Sequence, residues 1–305
     1  MYEIIYDFSM LQLEKNGLDS NQKEEMMRGA IELNKLSVAL DKKLIVFFYR
    51  DPIVQLPFEN ALVFRTSGFR ETAGTDTFGM PAIVEKKPFN EQFVLQKKVQ
   101  IPAISFRGKA SPLTLPPSVW AREQINRFAH KYRIPIKIKN YQPEGYLLRR
   151  RALLSCIKAG DNIQLDYLID PAYNKSDYQS AYIRSFLKNQ YIICCAGFGN
   201  YSYRLFETLR EGRIPVYIDT DELLPCADKI DWKSKMIWIP QADVDRTAAI
   251  VLDFHHSIHP DDFAAMQQEN RNVYFNYFTE ESFGQYLLRS FLPNYIGSYN
   301  QNIKD

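Results

Sequence analysis

One stretch of the sequence limits the fold more than any other, because it joins two apolar runs through a glycine-bearing turn and a helix-like segment. The first apolar run is 191–196, and the turn is 197–200. The helix-like segment is 202–211, and Gly212 follows it as a residue that readily ends a helix. The second apolar run is 214–218. Parallel strands need a crossover connection, usually a helix, so this order predicts a β-α-β unit within a parallel sheet.

The same alternation of strand-like and helix-like segments extends over most of the 305 residues, a length that allows two domains. Further strands are predicted at 44–49, 62–65, 80–84, 99–106 and 237–240, and helices at 21–40, 119–131, 148–158, 180–188 and 261–292. This pattern predicts an α/β fold with helices on both faces of parallel sheets.

The domain organisation follows from a charged, proline-bearing stretch at 85–90, which predicts a linker. We expect an N-terminal domain over 1–97 and a C-terminal domain over 98–280. A tail over 281–305 carries an apolar stripe, which we expect to pack back on the first domain.

Composition and charge exclude several classes of protein. The net charge is +2, too small to predict a nucleic-acid partner. The densest basic cluster, Arg149 to Arg151, suits either an exposed helix start or a patch facing phosphate or an acidic polymer. We expect no transmembrane helix, because no 18-residue stretch is apolar throughout, and Met1 to Asp7 lacks a signal-peptide pattern. Four cysteines without a CxxC pair suit a reducing compartment. These features predict a cytoplasmic protein and leave peripheral membrane association open.

The predicted helix start after the turn has the properties of an anion site. Its first N–H groups are unpaired and its dipole is positive there, while Gly199 and Asn200 let the chain turn tightly before Ser202. Arg204 follows in the first turn and can grip phosphate with two hydrogen bonds. Glu207, three residues further along, is placed to accept two hydrogen bonds from a ribose diol. A plain β-α-β unit with a capped helix stays open as the alternative.

These residues also carry a resemblance to a known family. Ser202-x-Arg204-Leu-aromatic-Glu207-small-Leu, followed by Gly212-x-Ile-Pro-Val, resembles the donor-site signature of the exostosin family of glycosyltransferases. The similarity is clear over residues 190–240 and weaker back to 100. Other positions that are similar to the family pattern are Ile104 to Gly108, Arg150, Leu153-Leu154, Asp219, Leu224-Pro225 and Ile230 to Trp232.

The resemblance implies a GT-B architecture, in which two Rossmann-like domains face a cleft and the C-terminal one holds the donor. It implies a nucleotide-diphosphate sugar as co-substrate, with a UDP-sugar favoured, and a glycan or polysaccharide as acceptor. It also implies inversion at the anomeric carbon and no obligatory metal or other cofactor. Arg107 and Arg150 are further candidates for donor phosphate contacts. Because the chain lacks a membrane anchor, it resembles a bacterial or viral member.

An inverting transfer needs a general base beside the acceptor hydroxyl, supplied by the N-terminal domain in this architecture. Asp51 follows the strand predicted at 44–49, Glu71 lies in the polar loop after 62–65, and Asp7 follows the first apolar run. These three carboxylates are the candidate bases, and turn capping or a surface ion pair is the alternative role of each.

The sequence leaves alternative metal sites and alternative functions open. His255 and His259 have metal-ligand spacing on a helix, although Pro260 suggests a helix boundary instead. Asp219, Asp221 and Glu222 could form an acidic metal-binding triplet, although the resemblance assigns them to a donor-side loop. A fucosyltransferase-like enzyme using GDP-fucose, and a non-catalytic glycan- or nucleotide-binding module, are the alternative functions.

Overall fold

The first of two sheets is formed by the N-terminal third of the chain. The computed structural model describes residues 4–7, 20–49, 58, 60–84, 88–89, 92–114, 117–118, 121, 125, 144–169, 175–293 and 295. Four parallel strands lie in the order β1-β2-β3-β4, and helix α1 connects β1 to β2. Their bounds are β1 Ile4–Asp7, α1 Ser20–Ala39, β2 Leu44–Phe48, β3 Ala61–Arg65 and β4 Thr77–Gly79.

The second sheet has five parallel strands in the order β6-β5-β7-β8-β9. Its strands are β5 Ala103–Gly108, β6 Gln164–Ile169, β7 Tyr191–Cys194, β8 Ile214–Asp219 and β9 Ile237–Pro240. The α-helices are α2 Glu144–Lys158, α3 Lys175–Lys188, α4 Tyr203–Arg210, α5 Thr247–Ser257, α6 Pro260–Tyr277 and α7 Glu280–Tyr286. Short 3-10 turns occupy Gly160–Asn162, Trp232–Lys235 and Gln241–Arg246, and a π-helical turn spans Leu287–Phe291.

The predicted α/β class is confirmed, and the two sheets correct some of its details. The strand predicted at 80–84 is wrong, because the pairing with β3 occurs at Thr77–Gly79. Met80 still donates its N–H to Arg65, but Pro81 has no N–H and the ladder ends there. Strand β6 was not predicted at all. Most of the helix predicted at 119–131 lies outside the described residues.

The C-terminal segment packs on the first sheet, as the apolar stripe predicted. The ring of Phe291 lies 5.3 Å from that of Phe64 on β3 and 4.7 Å from that of Phe78 on β4, measured between centroids. Phe283 of α7 approaches Phe64 edge-on at 6.4 Å. These contacts bury aromatic surface between the two ends of the chain, and aromatic pairs of this kind stabilise beyond their buried area.

The segment that connects the two sheets is held at two described positions, Phe89 and Gln96. Phe89, within the predicted linker, donates its N–H to Glu211, and its ring lies 4.2 Å below the guanidinium of Arg210. Further on, Gln96 and Gln267 exchange two hydrogen bonds of 2.8 and 2.9 Å between backbone and side-chain amide. The connection is therefore a strap bound to α4 and α6.

Candidate functional site

The site is built where β7 ends and α4 begins, the place that the sequence indicates. Strand β7 is fully buried, and the chain then turns through Gly197 and Gly199 before α4 starts at Tyr203. Ser202 is the N-cap residue, with an extended backbone and no side-chain capping bond. The Ser202 side chain therefore does not occupy the first N–H groups of α4, and the positive dipole end of the helix suits an anion.

A cavity of about 340 Å3 opens at this helix start. It combines glycine backbone, aromatic rings, two guanidinium groups and one carboxylate. Its lining residues are Arg149, Tyr182, Gly197, Phe198, Gly199, Tyr201, Ser202, Tyr203, Arg204 and Glu207. Four of the residues predicted from the sequence to hold a donor are thus brought together: Gly199, Ser202, Arg204 and Glu207.

Arg204 is held in place by strand β5, which contains the upstream segment of the family motif, Ile104 to Gly108. Its guanidinium lies 4.6 Å from the centroid of the Phe106 ring and donates a hydrogen bond to the carbonyl of Arg107. Gly108 has a φ of +149°, and a Cβ there would come within 2.6 Å of Arg204 Nη2. Phe106 and Gly108 therefore position the Arg204 guanidinium. The upstream and downstream segments of the motif meet at this side chain.

Glu207 lines the cavity and is held by a residue that the sequence did not indicate. The hydroxyl of Tyr182, on α3, donates to Glu207 Oε2 at 2.5 Å. Burial raises the pKa of Glu207, while the Tyr182 hydrogen bond and the charge of Arg204 act in the opposite direction. Tyr182 thus fixes one carboxylate oxygen of Glu207. No short-range motif links two residues 25 positions apart, so the sequence carried no signal for this pair.

The three consecutive arginines of α2 have different partners, and Arg151 pairs with Asp245. Arg149 lines the cavity, and its guanidinium donates to the carbonyls of Lys109 and Cys195. Arg150, the predicted phosphate contact, donates instead to the carbonyls of Pro112 and Leu113, which places its guanidinium on the β5–α2 connection.

The remaining predicted donor contacts also have structural partners. Arg107 forms an ion pair with Asp166 of β6 and gives its carbonyl to Arg204. Neither Arg107 nor Arg150 is among the lining residues of the cavity, and their donor contacts stay predictions.

Asn200 joins three loops in what we name the Asn200 latch, formed by Ser67, Gly68, Asn200 and Thr220. Its backbone N–H donates to Ser67 Oγ at 2.9 Å, and its Nδ2 donates to the carbonyls of Gly68 and Thr220, each at 3.0 Å. Its Oδ1 accepts from Thr220 Oγ1 at 2.7 Å. Asn200 is 7% exposed. The residue predicted to contact a donor thus binds the loop after β3 to the loops at the ends of β7 and β8.

The acidic residues after β8 are also tied to the first sheet. Arg70 donates to both carboxylate oxygens of Asp219 at 2.8 Å and to Asp221 Oδ1 at 3.1 Å. Glu222 is buried and accepts from the hydroxyl of Tyr217 and from the backbone of Ser202. The triplet that could have held a metal is therefore occupied by an arginine, a tyrosine and a backbone N–H.

Among the candidate bases, the structure locates two. Glu71 is exposed, and its backbone N–H donates to Asp221 at 3.0 Å, so it lies on the loop that meets the second sheet. Asp7 is the last residue of β1, in register with Phe47 at the carboxyl end of β2. Asp51 lies outside the described residues. All three stay predictions.

The histidine pair is separated by a helix end. His255, on α5, shares a hydrogen bond of 2.7 Å with the Tyr191 hydroxyl and another of 2.8 Å with the Val99 carbonyl. His259 caps α6 by accepting from Asp261 N–H. Within the described ranges, no group of three or more His, Cys, Asp or Glu side chains has the arrangement of a metal site. The described part of the chain also has no helix with the length and apolar character needed to cross a bilayer.

A helix start that faces two guanidiniums and a carboxylate across a β-α junction is the kind of site that binds a phosphorylated ligand. Residues 61–253 match the exostosin GT47 domain. The chain therefore belongs to the exostosin family of glycosyltransferases, as the motif predicted. Its two parallel α/β sheets, with a C-terminal segment returning to the first, are the predicted GT-B architecture.

Two curated relatives and one solved structure are similar to parts of the chain. The relatives are the probable glucuronosyltransferases Os01g0926700 and Os02g0520750 of Oryza sativa subsp. japonica, each 29% identical over 109 residues. The aligned stretch is 36% of this chain. It covers 25% of the length of the first relative and 24% of the length of the second. A glycosyltransferase of Rickettsia africae ESF-5 is 11% identical, with 99% of this chain and 90% of that chain covered at a TM-score of 0.39.

Proposed function

We propose that the protein transfers a sugar from a nucleotide-diphosphate sugar, with a UDP-sugar favoured, to a glycan or polysaccharide acceptor. The observation that carries this proposal is the cavity at the start of α4, where Arg204 and Glu207 face one space. The names of the two rice relatives make a glucuronic acid donor the first to test. We also propose that the protein acts in the cytoplasm and is of bacterial or viral origin. We expect it to have no nucleic-acid partner.

The diphosphate and the ribose of the donor each have a matching group in the cavity. The diphosphate lies against the helix start and Arg204, because both offer N–H donors and positive charge. The ribose diol donates to Glu207, whose other oxygen is held by Tyr182. The rings of Phe198 and Tyr203, which are 71% and 51% exposed, lie on the rim.

The transfer proceeds with inversion and without an obligatory metal. The acceptor oxygen attacks the anomeric carbon while the bond from that carbon to the β-phosphate oxygen breaks. The nucleoside diphosphate leaves with the electron pair, and the acceptor proton passes to a carboxylate base. Asp7, Asp51 and Glu71 are the candidates for that base. Arg204 and the dipole of α4 offset the charge that develops on the diphosphate, a task that needs preorganised positive groups.

Titration calorimetry with UDP, GDP and CDP tests the donor assignment. We expect UDP to bind most tightly, and Arg204→Ala to lower its affinity at least about tenfold, because a charged hydrogen bond is lost. Arg246→Ala is the matched control, since that side chain is 68% exposed and contacts only Asp243 among the ion pairs of the described residues. Unchanged UDP affinity in Arg204→Ala would show that the assignment is wrong.

A second titration separates the sugar contact from the charge contact. Wild-type protein should prefer UDP over 2′-deoxy-UDP, and Glu207→Gln should lose that preference, because the carboxylate accepts both diol hydrogens. Glu269→Gln, an exposed glutamate paired with Lys235, serves as the control. Tighter binding of GDP than of UDP would favour the fucosyltransferase-like alternative. Donor binding without turnover, with acceptors present, would favour the non-catalytic module.

A further inference from the structure

Arg149 is a buried cation whose hydrogen bonding is incomplete. The residue is 8% exposed, and its Nη1 and Nη2 donate to the carbonyls of Lys109 and Cys195 at 2.9 and 2.8 Å. Its Nε has no hydrogen-bond partner among the residues that the structure describes, and the side chain lines the cavity at the start of α4. A buried guanidinium with an unsatisfied donor is costly unless a ligand completes it.

Arg149 also differs in its ion pairing from three other arginines of the C-terminal part of the chain. Arg107 pairs with Asp166, Arg151 with Asp245, and Arg210 with Glu211. Among the described residues, no carboxylate lies within ion-pair distance of Arg149. Burial lowers the pKa of Arg149 to about 10, and the charge of Arg204 contributes, so the group is still positive at neutral pH.

Arg149 and Arg204 line the same cavity from different helices. Both guanidiniums lie over the Phe106 ring, at 5.9 and 4.6 Å from its centroid. Glu207 is the one carboxylate among the lining residues, so two positive charges face one negative charge in the cavity. An excess of positive charge here favours a ligand with more than one negative charge.

Gly197 gives the cavity access to Arg149. A Cβ at this position would lie 3.3 Å from Arg149 Nη2, closer than ordinary van der Waals contact. Any larger side chain would therefore cover the guanidinium from the side of the β7–α4 turn. The glycine leaves that face of Arg149 open to a ligand seated at the helix start.

We propose that Arg149 is a second phosphate-binding residue, which holds the donor diphosphate from α2 while Arg204 holds it from α4. This inference rests on the proposed function and extends it, because it assigns to Arg149 the phosphate contact that the sequence suggested for Arg150. Two arginines on separate elements bracket two phosphates, and each guanidinium can form two charge-assisted hydrogen bonds.

The test compares the affinities of uridine, UMP and UDP, by calorimetry, for wild type, Arg149→Gln and Arg151→Gln. Arg151 is the matched control, because it lies two residues further along the same helix and its guanidinium is bound to Asp245 at 2.7 and 2.9 Å. We expect Arg149→Gln to weaken UDP binding about 10- to 100-fold, the effect of losing a charged hydrogen bond. The loss should be larger for UDP than for UMP and absent for uridine, and Arg151→Gln should match wild type.

Each other outcome overturns a distinct claim. An equal loss for uridine and UDP, or no loss for UDP, overturns the role of Arg149 and leaves the proposed function standing. Failure of wild type to bind UDP overturns the proposed function itself. Arg149→Lys guards against a folding defect, because it keeps the charge. It should unfold at the wild-type temperature and recover part of the preference for UDP over UMP.

Discussion

The Asn200 latch leads to a prediction about stability that can be worked from its geometry. Asn200→Ala removes the side-chain amide that bonds the loop after β3 to the loops after β7 and β8. Three side-chain hydrogen bonds are lost, to Gly68 and Thr220. The backbone bond from Asn200 to Ser67 is retained by alanine.

The expected loss is about 3 kcal/mol in the free energy of unfolding. Each buried hydrogen bond contributes about 1 kcal/mol net, and the carbonyls of Gly68 and Thr220 lose a donor that water replaces poorly in a buried site. Asn200 is 7% exposed, so little solvent reaches these groups. A change of this size is large compared with the effect of most surface substitutions.

Urea-induced unfolding, followed by fluorescence of the tryptophans, measures the change. Asn162→Ala is the matched control, because the exposed Asn162 makes one side-chain bond, to Ala159, and should cost less than about 0.5 kcal/mol. If Asn200→Ala also loses less than about 1 kcal/mol, the latch does not hold the two sheets together and the reasoning fails.

Three further predictions concern the site and its surroundings. A Cβ in Gly145→Ala would lie 2.0 Å from the Ala196 carbonyl oxygen, so we expect a lower unfolding temperature and weaker UDP binding in calorimetry. Gly284→Ala, with nothing within 4 Å, should keep the wild-type values. Tyr182→Phe frees the Glu207 carboxylate and should lower the preference for UDP over 2′-deoxy-UDP, while affinity for inorganic diphosphate stays unchanged. Burial raises the pKa of Glu222 to about 8, so the folded chain keeps a proton that the unfolded chain releases near pH 4.3. Wild type should therefore lose stability relative to Glu222→Gln from about pH 5 to about pH 8, and a constant difference in urea unfolding would contradict this.

The fold was predictable where strands are continuous and buried. Strands β2, β7 and β8 are almost entirely apolar, and the helices between them show clear spacing. Strand β6 escaped prediction because it is an edge strand with half-exposed residues, so polar and apolar positions alternate weakly. The error at 80–84 has the converse cause. Met80 and Ala82 are buried in the core, as strand residues would be, but they lie outside the paired strand.

The sequence predicted only those site residues that lie close to one another along the chain. Ser202 is the N-cap residue of α4, and Arg204 and Glu207 lie three positions apart on that helix, so the shared face of Arg204 and Glu207 follows from spacing. Spacing could not decide which of three consecutive arginines faces the cavity, because that depends on the rotation of α2 against β5. Tyr182 and the Phe106 ring beneath Arg204 come from distant segments, and only the fold brings them to the helix start.

The aromatic contacts between the first sheet and the C-terminal segment have a consequence for synthesis on the ribosome. Tyr295 donates to Asp76, which was translated 219 residues earlier, and Phe291 covers Phe64 and Phe78 beside it. The first sheet emerges early but leaves these rings uncovered until the end of the chain arrives. At about 5–20 residues per second, that interval lasts roughly 10–40 seconds. A nascent chain therefore waits with apolar surface exposed, and chaperone binding should be concentrated on the N-terminal third.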